Sequence, residues 1–443
     1  MEVIRKELMP GVYLNCVRSD KFKSSYITLS LLSQLQREAA SMNALIPFVL
    51  RRGTTAYPDI EHLNNRFDEL YGTVIEPLVR RSGEIQSVGF ACIFPEGRFL
   101  PQGENILGQS VSLLCDVLLN PLTRGGLLLP AYVESERDKL IDLIRSRVNN
   151  KRGYSITRCI EEMCCYEDFS VGKFGSENDC EEINYKKLTR HYREMLQTAP
   201  VEIFYCGNDS AAAVTAALKD SLCTMPRGEI NYDIGTDVRM NSVEDEPRVY
   251  EEQLDVTQGK LVIGFRLGEC MEEPDKAAVS MFNTVYGAGV TSKLFTNVRE
   301  KLQLCYYASS MADIHKGFLL AVSGIDFDKY EQARDEILHQ LDEMRNGNIT
   351  DDELAFARAG ILSDLKAMQD APSALESFYI GNILDGYDIS PEEYAELVRT
   401  VTREDVIAIA NSLECDMIYF LKGEDGCEDE TPEAAEPLPE AEE

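Results

Sequence analysis

The residues able to hold a metal or to act on a carbonyl are dispersed. The four histidines, His62, His191, His315 and His339, lie more than four residues apart, so no two share one helix face as paired imidazole ligands would. The thirteen cysteines contain no Cys-x-x-Cys pair. Their one cluster, Cys159, Cys164 and Cys165, has no zinc-module spacing, and an odd, scattered set fits reduced, buried thiols better than a disulfide framework. A hydrolytic zinc site needs three clustered protein ligands and an open position, and these spacings predict none. Arg299 and Tyr306, seven residues apart, read on spacing alone as an exposed helix arginine and a strand tyrosine packed on the core, although a guanidinium and a phenol can both donate hydrogen bonds. Nearby, Gly287 and Gly289 are not a phosphate cradle, because no strand precedes them and the third glycine of a dinucleotide fingerprint is missing.

The elements that must position these residues repeat along the chain. The first half opens with strand-like runs at Val12 to Arg18 and Ser25 to Leu32 and turns helical from about Gln36. A second helix follows Pro58, with Leu63, Phe67 and Leu70 on one face. Arg81-Ser82-Gly83 marks a turn between strands at Val74 to Val79 and Ile85 to Phe94. Three or four helices fill about 103–197, then a strand at Val201 to Cys206 and a helix from Ser210. The segment from Cys223 to Arg248, polar and punctuated by Pro226, Gly228, Gly235 and Pro247, reads as a linker. After it comes a strand at Gly259 to Leu267, helices near 274–285 and 292–301, two strands around Lys316-Gly317, helices across about 328–413 and a closing strand at Asp416 to Leu421. The shared order suggests a duplication. The expected fold is α+β: two similar domains, 1–222 and 251–423, each an antiparallel-rich mixed sheet with helices packed on one face, joined by a linker at 223–250 and followed by an acidic tail at 424–443. That tail holds ten acids, three prolines and no bases, too little apolar surface to offset chain entropy, so disorder is expected there.

With 443 residues, two large cores are affordable. A net charge of −32 repels phosphate backbones, and no basic stripe interleaves with aromatics, so nucleic-acid binding is disfavoured. No stretch approaches the ~20 apolar residues of a membrane span and the first sixteen residues lack a signal-peptide run, which points to a cytoplasmic protein.

The segment Asn43-Ala-Leu-Ile-Pro-Phe-Val-Leu-Arg-Arg-Gly-Thr54 and the run Tyr286-Gly-Ala-Gly-Val-Thr-Ser-Lys-Leu-Phe-Thr-Asn-Val-Arg-Glu-Lys-Leu-Gln-Leu-Cys-Tyr306 resemble the pitrilysin/insulinase-type zinc peptidases over about residues 1–423. In that family an inverted H-x-x-E-H motif precedes a Gly-Thr; the two histidines bind zinc and the glutamate acts as base toward its water. Aligned on Gly53-Thr54, the resemblance puts Ala44, Pro47 and Phe48 at the three motif positions. The third ligand, a glutamate seven places after Glu136, falls on Leu143. Glu136 itself reads as a solvated surface residue, and Pro47, inside the helix, removes a backbone donor and clashes one turn back at a cost of about 3 kcal/mol or a kink. The second run matches the family's C-terminal signature, which implies that Arg299 and Tyr306 project into the chamber and reach the scissile carbonyl. In the strand Gly72-Thr-Val-Ile-Glu-Pro-Leu-Val-Arg80, relatives carry Asn-Ala and add a substrate peptide at the sheet edge; Ile75 and Glu76 stand there instead, and Pro77 allows only an edge or bulged strand.

The resemblance therefore implies a non-catalytic subunit. A zinc-bearing sister of the same family would bring the metal, so this chain needs no cofactor, and the pair would close as a clamshell around an unfolded peptide held by Arg299 and Tyr306. Two alternatives stand beside this: a scaffold with no part in turnover, and an active peptidase with unorthodox ligands. Lys21-Phe-Lys-Ser24, Ala44 to Leu50, Tyr57-Pro58 and Asp68-Glu-Leu-Tyr-Gly72 look like one bacterial branch, associated with 5-aminopentanol modification of elongation factor P.

Overall fold

The computed structural model describes residues 3–271 and 275–423; the acidic tail lies outside the described residues. The first half contains β1 (Val3–Met9), β2 (Val12–Arg18), β3 (Ser24–Gln34), α1 (Arg37–Leu50), α2 (Ile60–Glu69), β4 (Val74–Ser82), β5 (Ile85–Pro95), α3 (Ile106–Leu119), a small ribbon of β6 (Thr123–Arg124) and β7 (Leu127–Leu128), α4 (Pro130–Ser146), α5 (Lys151–Met163), α6 (Glu177–Glu181), α7 (Tyr185–Thr198), β8 (Val201–Gly207) and α8 (Ala211–Ser221). The second half contains β9 (Arg248–Leu254), β10 (Gly259–Arg266), α9 (Lys276–Asn283), β11 (Cys305–Asp313), β12 (Phe318–Ile325), α10 (Tyr330–Arg345), α11 (Asp351–Met368), α12 (Pro372–Leu384), α13 (Pro391–Thr400), α14 (Arg403–Ser412) and β13 (Glu414–Gly423). Between α9 and β11 the chain winds into two wide helices of the π type, Thr284–Ala288 and Leu294–Lys301.

The two sheets follow one plan. In the first, the order is β1-β2-β8-β3-β5-β4, with β2 and β8 parallel and the other neighbours antiparallel. In the second, β9-β13-β10-β12-β11 retraces that path, with β9 and β13 parallel. Each β2, β8, β3, β5, β4 therefore has a counterpart, and β1 is an addition. This common path supports the duplication suggested by element order.

Helices cover one face of each sheet and build its main core: Leu29, Leu45, Val88 and Phe90 in the first half, Ile263, Phe282, Leu319 and Ile337 in the second. The opposite face of each sheet is crossed by a helix from the other half. α5 lays Ile156, Cys159 and Met163 against Val262, Leu320 and Met417 of the second sheet. Reciprocally, α12 lays Leu375 and Tyr379 against Val17, Tyr26 and Phe204 of the first. Within that contact Glu376 is buried and accepts from Tyr26 (3.1 Å), Thr28 (2.9 Å) and Arg80. The halves thus interlock through exchanged helices, which periodicity alone does not reveal.

The segment read as a linker is pinned. Arg227 donates to the carbonyls of Pro10, Leu196 and Ala199, and the Asp237 carbonyl accepts from Lys316. Lys316, fully buried, also pairs with Glu84 (2.8 Å) and Glu167 (2.7 Å), so one ammonium ties the β4–β5 turn, the end of α5 and the β11–β12 turn together. β9 begins at Arg248, three residues inside the segment expected as linker.

Candidate functional site

The helix that would carry metal ligands is continuous. α1 runs through Pro47 to Leu50, and the Pro47 carbonyl still accepts from the Arg51 amide at 3.1 Å. Pro47 removes the amide that would donate to the Asn43 carbonyl, and the helix nevertheless continues three residues beyond it. Positions 44, 47 and 48 share one face, as i, i+3, i+4 spacing dictates. That face is core: Ala44 is fully buried, Pro47 is buried and borders a small apolar cavity of about 10 Å³ with Leu31, Ile46, Val88 and Phe90, and Phe48 is half-buried against the same cluster. Leu143, on α4, is exposed. Methyl, pyrrolidine, phenyl and isobutyl groups have no lone pair for a cation, so zinc does not fit these four positions. Among the described residues no three His, Cys, Asp or Glu side chains come together as a ligand set.

Glu136 departs from its reading as a solvated residue. It is buried, and its Oε1 accepts from Arg52 at 2.7 Å and Lys139 at 2.8 Å. The partner that explains its burial, Arg52, is 84 residues away in sequence. Behind Ala44 lies a polar network: Asn43 donates to Ser33 (3.0 Å) and Gln86 (2.8 Å), and its Oδ1 meets His191 Nε2 at 2.5 Å. Burial lowers the pKa of His191, favouring the neutral ring. Just beyond α1, a Cβ on Gly53 would come within 2.6 Å of the Pro58 carbonyl oxygen, so glycine is needed for that close turn.

Strand β4 is an edge strand, as Pro77 requires. Pro77 pairs opposite Phe90, and a residue without an N–H fits the ladder only where that side faces outward. Ile75, two residues earlier, shares this outward orientation, and its carbonyl is taken by Arg51 Nε at 2.6 Å. A peptide approaching this edge meets one missing donor and one occupied acceptor at the positions where the resemblance implied strand addition.

The second half presents its donors differently. Gly287, in the first wide helix, lies directly against β11: a Cβ there would lie 2.5 Å from Ser310 Oγ, which makes it a packing glycine. Ser292 Oγ accepts from the Phe295 amide (3.3 Å), and Lys293 anchors the next helix to Glu353 (2.9 Å) and the Asn348 carbonyl (2.6 Å). Arg299, in the last turn of that helix, is 39% exposed; its guanidinium lies 4.7 Å from the Phe295 ring centroid and 3.7 Å from Glu300. Tyr306 is 43% exposed and falls at a β-bulge, between Cys305 opposite Ile325 and Tyr307 opposite Gly324. A bulge re-aims the extra residue, and the Tyr306 hydroxyl donates to Asp326 at 3.0 Å. Asp326, also paired with Lys329 at 2.7 Å, is held below the usual carboxylate range by Lys329 first and by Tyr306. Arg299 and Tyr306 thus sit on adjoining elements at the open edge of the second sheet.

A family model described as "Peptidase M16 inactive domain" matches residues 182–361, which include Arg299 and Tyr306. A protein of Bacillus subtilis (strain 168) named "Probable inactive metalloprotease YmfF" is 29% identical over 418 residues, covering 94% of this chain and 97% of that one. The chain is thus similar over residues 182–361 to an M16 inactive domain, and over nearly its whole length to a probable inactive metalloprotease. Among solved structures, a conserved protein from Enterococcus faecalis V583 superposes with a TM-score of 0.85 at 25% identity, over 96% of this chain and 100% of that one. A structure described as a peptidase M16 inactive domain from Pseudomonas fluorescens gives 0.76 at 15% identity, over 96% and 98%, and shows the shared fold. The other M16-like neighbours share this mixed architecture. No helix among the described residues is long and apolar enough to cross a membrane.

Proposed function

We propose that this M16 homologue is the non-catalytic, substrate-holding subunit of a zinc-dependent peptidase pair, and that it offers Arg299 and Tyr306 to an unfolded peptide whose scissile carbonyl sits at a zinc site of the partner. The observation that carries this reading is the contrast between a ligand face packed on the core at Ala44, Pro47 and Phe48 and two partly exposed hydrogen-bond donors at the edge of the second sheet. Arg299 and Tyr306 would donate to the carbonyl oxygen as charge develops on it, work that needs no metal on this chain. On the resemblance of the first 75 residues, the reading extends to the modification of elongation factor P as the setting.

The test is purification alone and with a zinc-bearing sister. Alone, the chain is expected to carry no stoichiometric zinc and to cleave no unfolded peptide; chelator-sensitive hydrolysis by the chain alone overturns the reading. In the pair, Arg299→Ala is expected to lower turnover about 100-fold, the scale of losing one oxyanion donor. Unchanged turnover in both Arg299→Ala and Tyr306→Phe, with assembly intact, would make the chain a scaffold.

A further inference from the structure

Arg152 is a half-buried arginine that meets no carboxylate among the described residues and stacks on a tyrosine instead. It lies in the first turn of α5, the helix exchanged onto the second sheet, and its guanidinium stacks on the Tyr307 ring at 4.2 Å from the centroid. One donor is used, from Nη2 to Ser309 Oγ at 3.0 Å. Nε is buried without a hydrogen-bond partner, and so is the Tyr307 hydroxyl. Six residues further along α5, Arg158 meets Glu161, Glu162 and Glu252 at 2.7, 2.7 and 3.1 Å. Arg152 has no such carboxylate: burial pulls its pKa down and only the Tyr307 ring acts against that, while burial pushes the Tyr307 phenol up to about 12. In a chain with 76 acids and 44 bases, an unmatched, half-buried guanidinium is an unusual expense.

The surroundings are built to hold these groups in place. A Cβ on Gly324 would lie 2.4 Å from Tyr307 Cε1, so the ring rests flat on β12 where only glycine leaves room, with Arg152 stacked on it. Lys260 Nζ lies 5.9 Å from the same ring centroid, adding a second cation. Tyr307 and Ser309 are alternate residues of β11, and Tyr306 immediately precedes them.

We propose that Arg152, Tyr307 and Ser309 form a carboxylate-binding subsite that anchors an acidic group of the held peptide, either its free C-terminus or an Asp or Glu side chain. A planar guanidinium matches a carboxylate with two parallel N–H donors, and a neutral phenol adds a third. The subsite rests on the reading of this chain as a peptide holder and gives that reading a substrate preference.

The test measures fluorescence anisotropy with the full chain and no peptidase present. The probes are three labelled, N-acetylated hexapeptides of otherwise uncharged sequence: one with a free C-terminus, one C-terminally amidated, and one amidated with a single internal glutamate. One or both acidic probes should bind at least tenfold tighter than the plain amide, with a preference that weakens as salt rises. Whichever acidic probe gains identifies the source of the carboxylate. Arg152→Met should abolish the preference. Tyr307→Phe keeps the ring beneath the guanidinium, and with an unchanged unfolding midpoint it should reduce the preference at least threefold. Equal binding of all three probes, or a preference that survives Arg152→Met, overturns the subsite while leaving peptide holding in place; no binding of any probe removes both. An acid preference that persists where Arg299→Ala leaves the pair's turnover unchanged supports the subsite and counts only against the oxyanion role.

Discussion

The face of α1 around Ala44 and the edge of the second sheet around Arg299 belong to halves of like topology, yet they put side chains to opposite uses. On α1 the three positions that could face a peptide bond are packed inward, and the neighbouring polar groups are engaged: Glu136 by Arg52 and Lys139, Asn43 by Ser33, Gln86 and His191. At the second sheet Arg299 and Tyr306 are partly exposed, and the Tyr306 hydroxyl donates to Asp326. The two edge strands repeat the contrast, for β4 has its Ile75 carbonyl occupied by Arg51 while β11 carries a re-aimed tyrosine. Stability and function should therefore separate: substitutions on the first surface should cost folding energy, and those on the second should cost activity of the pair.

The largest effect should come from trying to restore ligands. Ala44 is fully enclosed, so Ala44→His forces an imidazole into a filled core and should destabilise by about 1–3 kcal/mol from overpacking, read as a lowered urea midpoint. Arg299→Ala should stay within about 0.5 kcal/mol, as surface changes do. Equal losses at the two sites would erase the contrast. Next in size, Glu136→Ala leaves Arg52 without its buried acceptor and should cost about 1–3 kcal/mol. A cost near zero would return Glu136 to the solvated role that its sequence context suggests.

A pH titration sharpens the same comparison. Burial lowers the folded pKa of His191 beneath its ordinary value of 6.5, so the folded state prefers the neutral ring. Its contribution is complete above about pH 6.5 and is lost as pH falls through the depressed folded value. Acidification from pH 7 to 5 should lower stability in a way that His191→Gln removes, and the His191 ring resonances should titrate below 6.5. A ring titrating at or above 6.5 would show that the network behind α1 is open to water.

Much of this was legible in the sequence, for reasons that also mark the limit. The β4–β5 hairpin could be read from the turn at Arg81-Ser82-Gly83, and the start of α1 near Gln36, although Pro47 argued for a kink within it. β1 and β9 escaped notice: their runs, VIRKELM and RVYEEQL, are charged because both are edge strands with little to bury. The sequence placed helices across the regions of α5 and α12 but not the sheet that each covers, since the receiving strands lie about a hundred residues or more away. The apolar character of positions 44, 47, 48 and 143 was readable directly, because it depends only on residue type. The burial of Glu136 and the isolation of Arg152 were not, because each depends on a partner, present or missing, that is remote in sequence.

The smallest effect tests whether Tyr306 is poised or merely exposed. Its hydroxyl donates to Asp326, whose carboxylate Lys329 and Tyr306 keep below the usual range. That pairing is fully formed above the ordinary carboxylate pKa and is lost only as pH falls through the lowered value, so it is constant between pH 5 and 8. Gripping a peptide carbonyl requires Tyr306 to give up this bond. Asp326→Asn keeps an acceptor oxygen but removes the charge, and so should leave stability within about 0.5 kcal/mol while easing the exchange. The KM of the pair should fall roughly two- to threefold, the scale of weakening one charge-assisted bond at an exposed site. In a Tyr306→Phe background the same substitution should do nothing, because the phenol it acts through is gone. An equal change in both backgrounds would show Asp326 acting through its charge alone, and the second surface would then owe its function to Arg299 without the tyrosine.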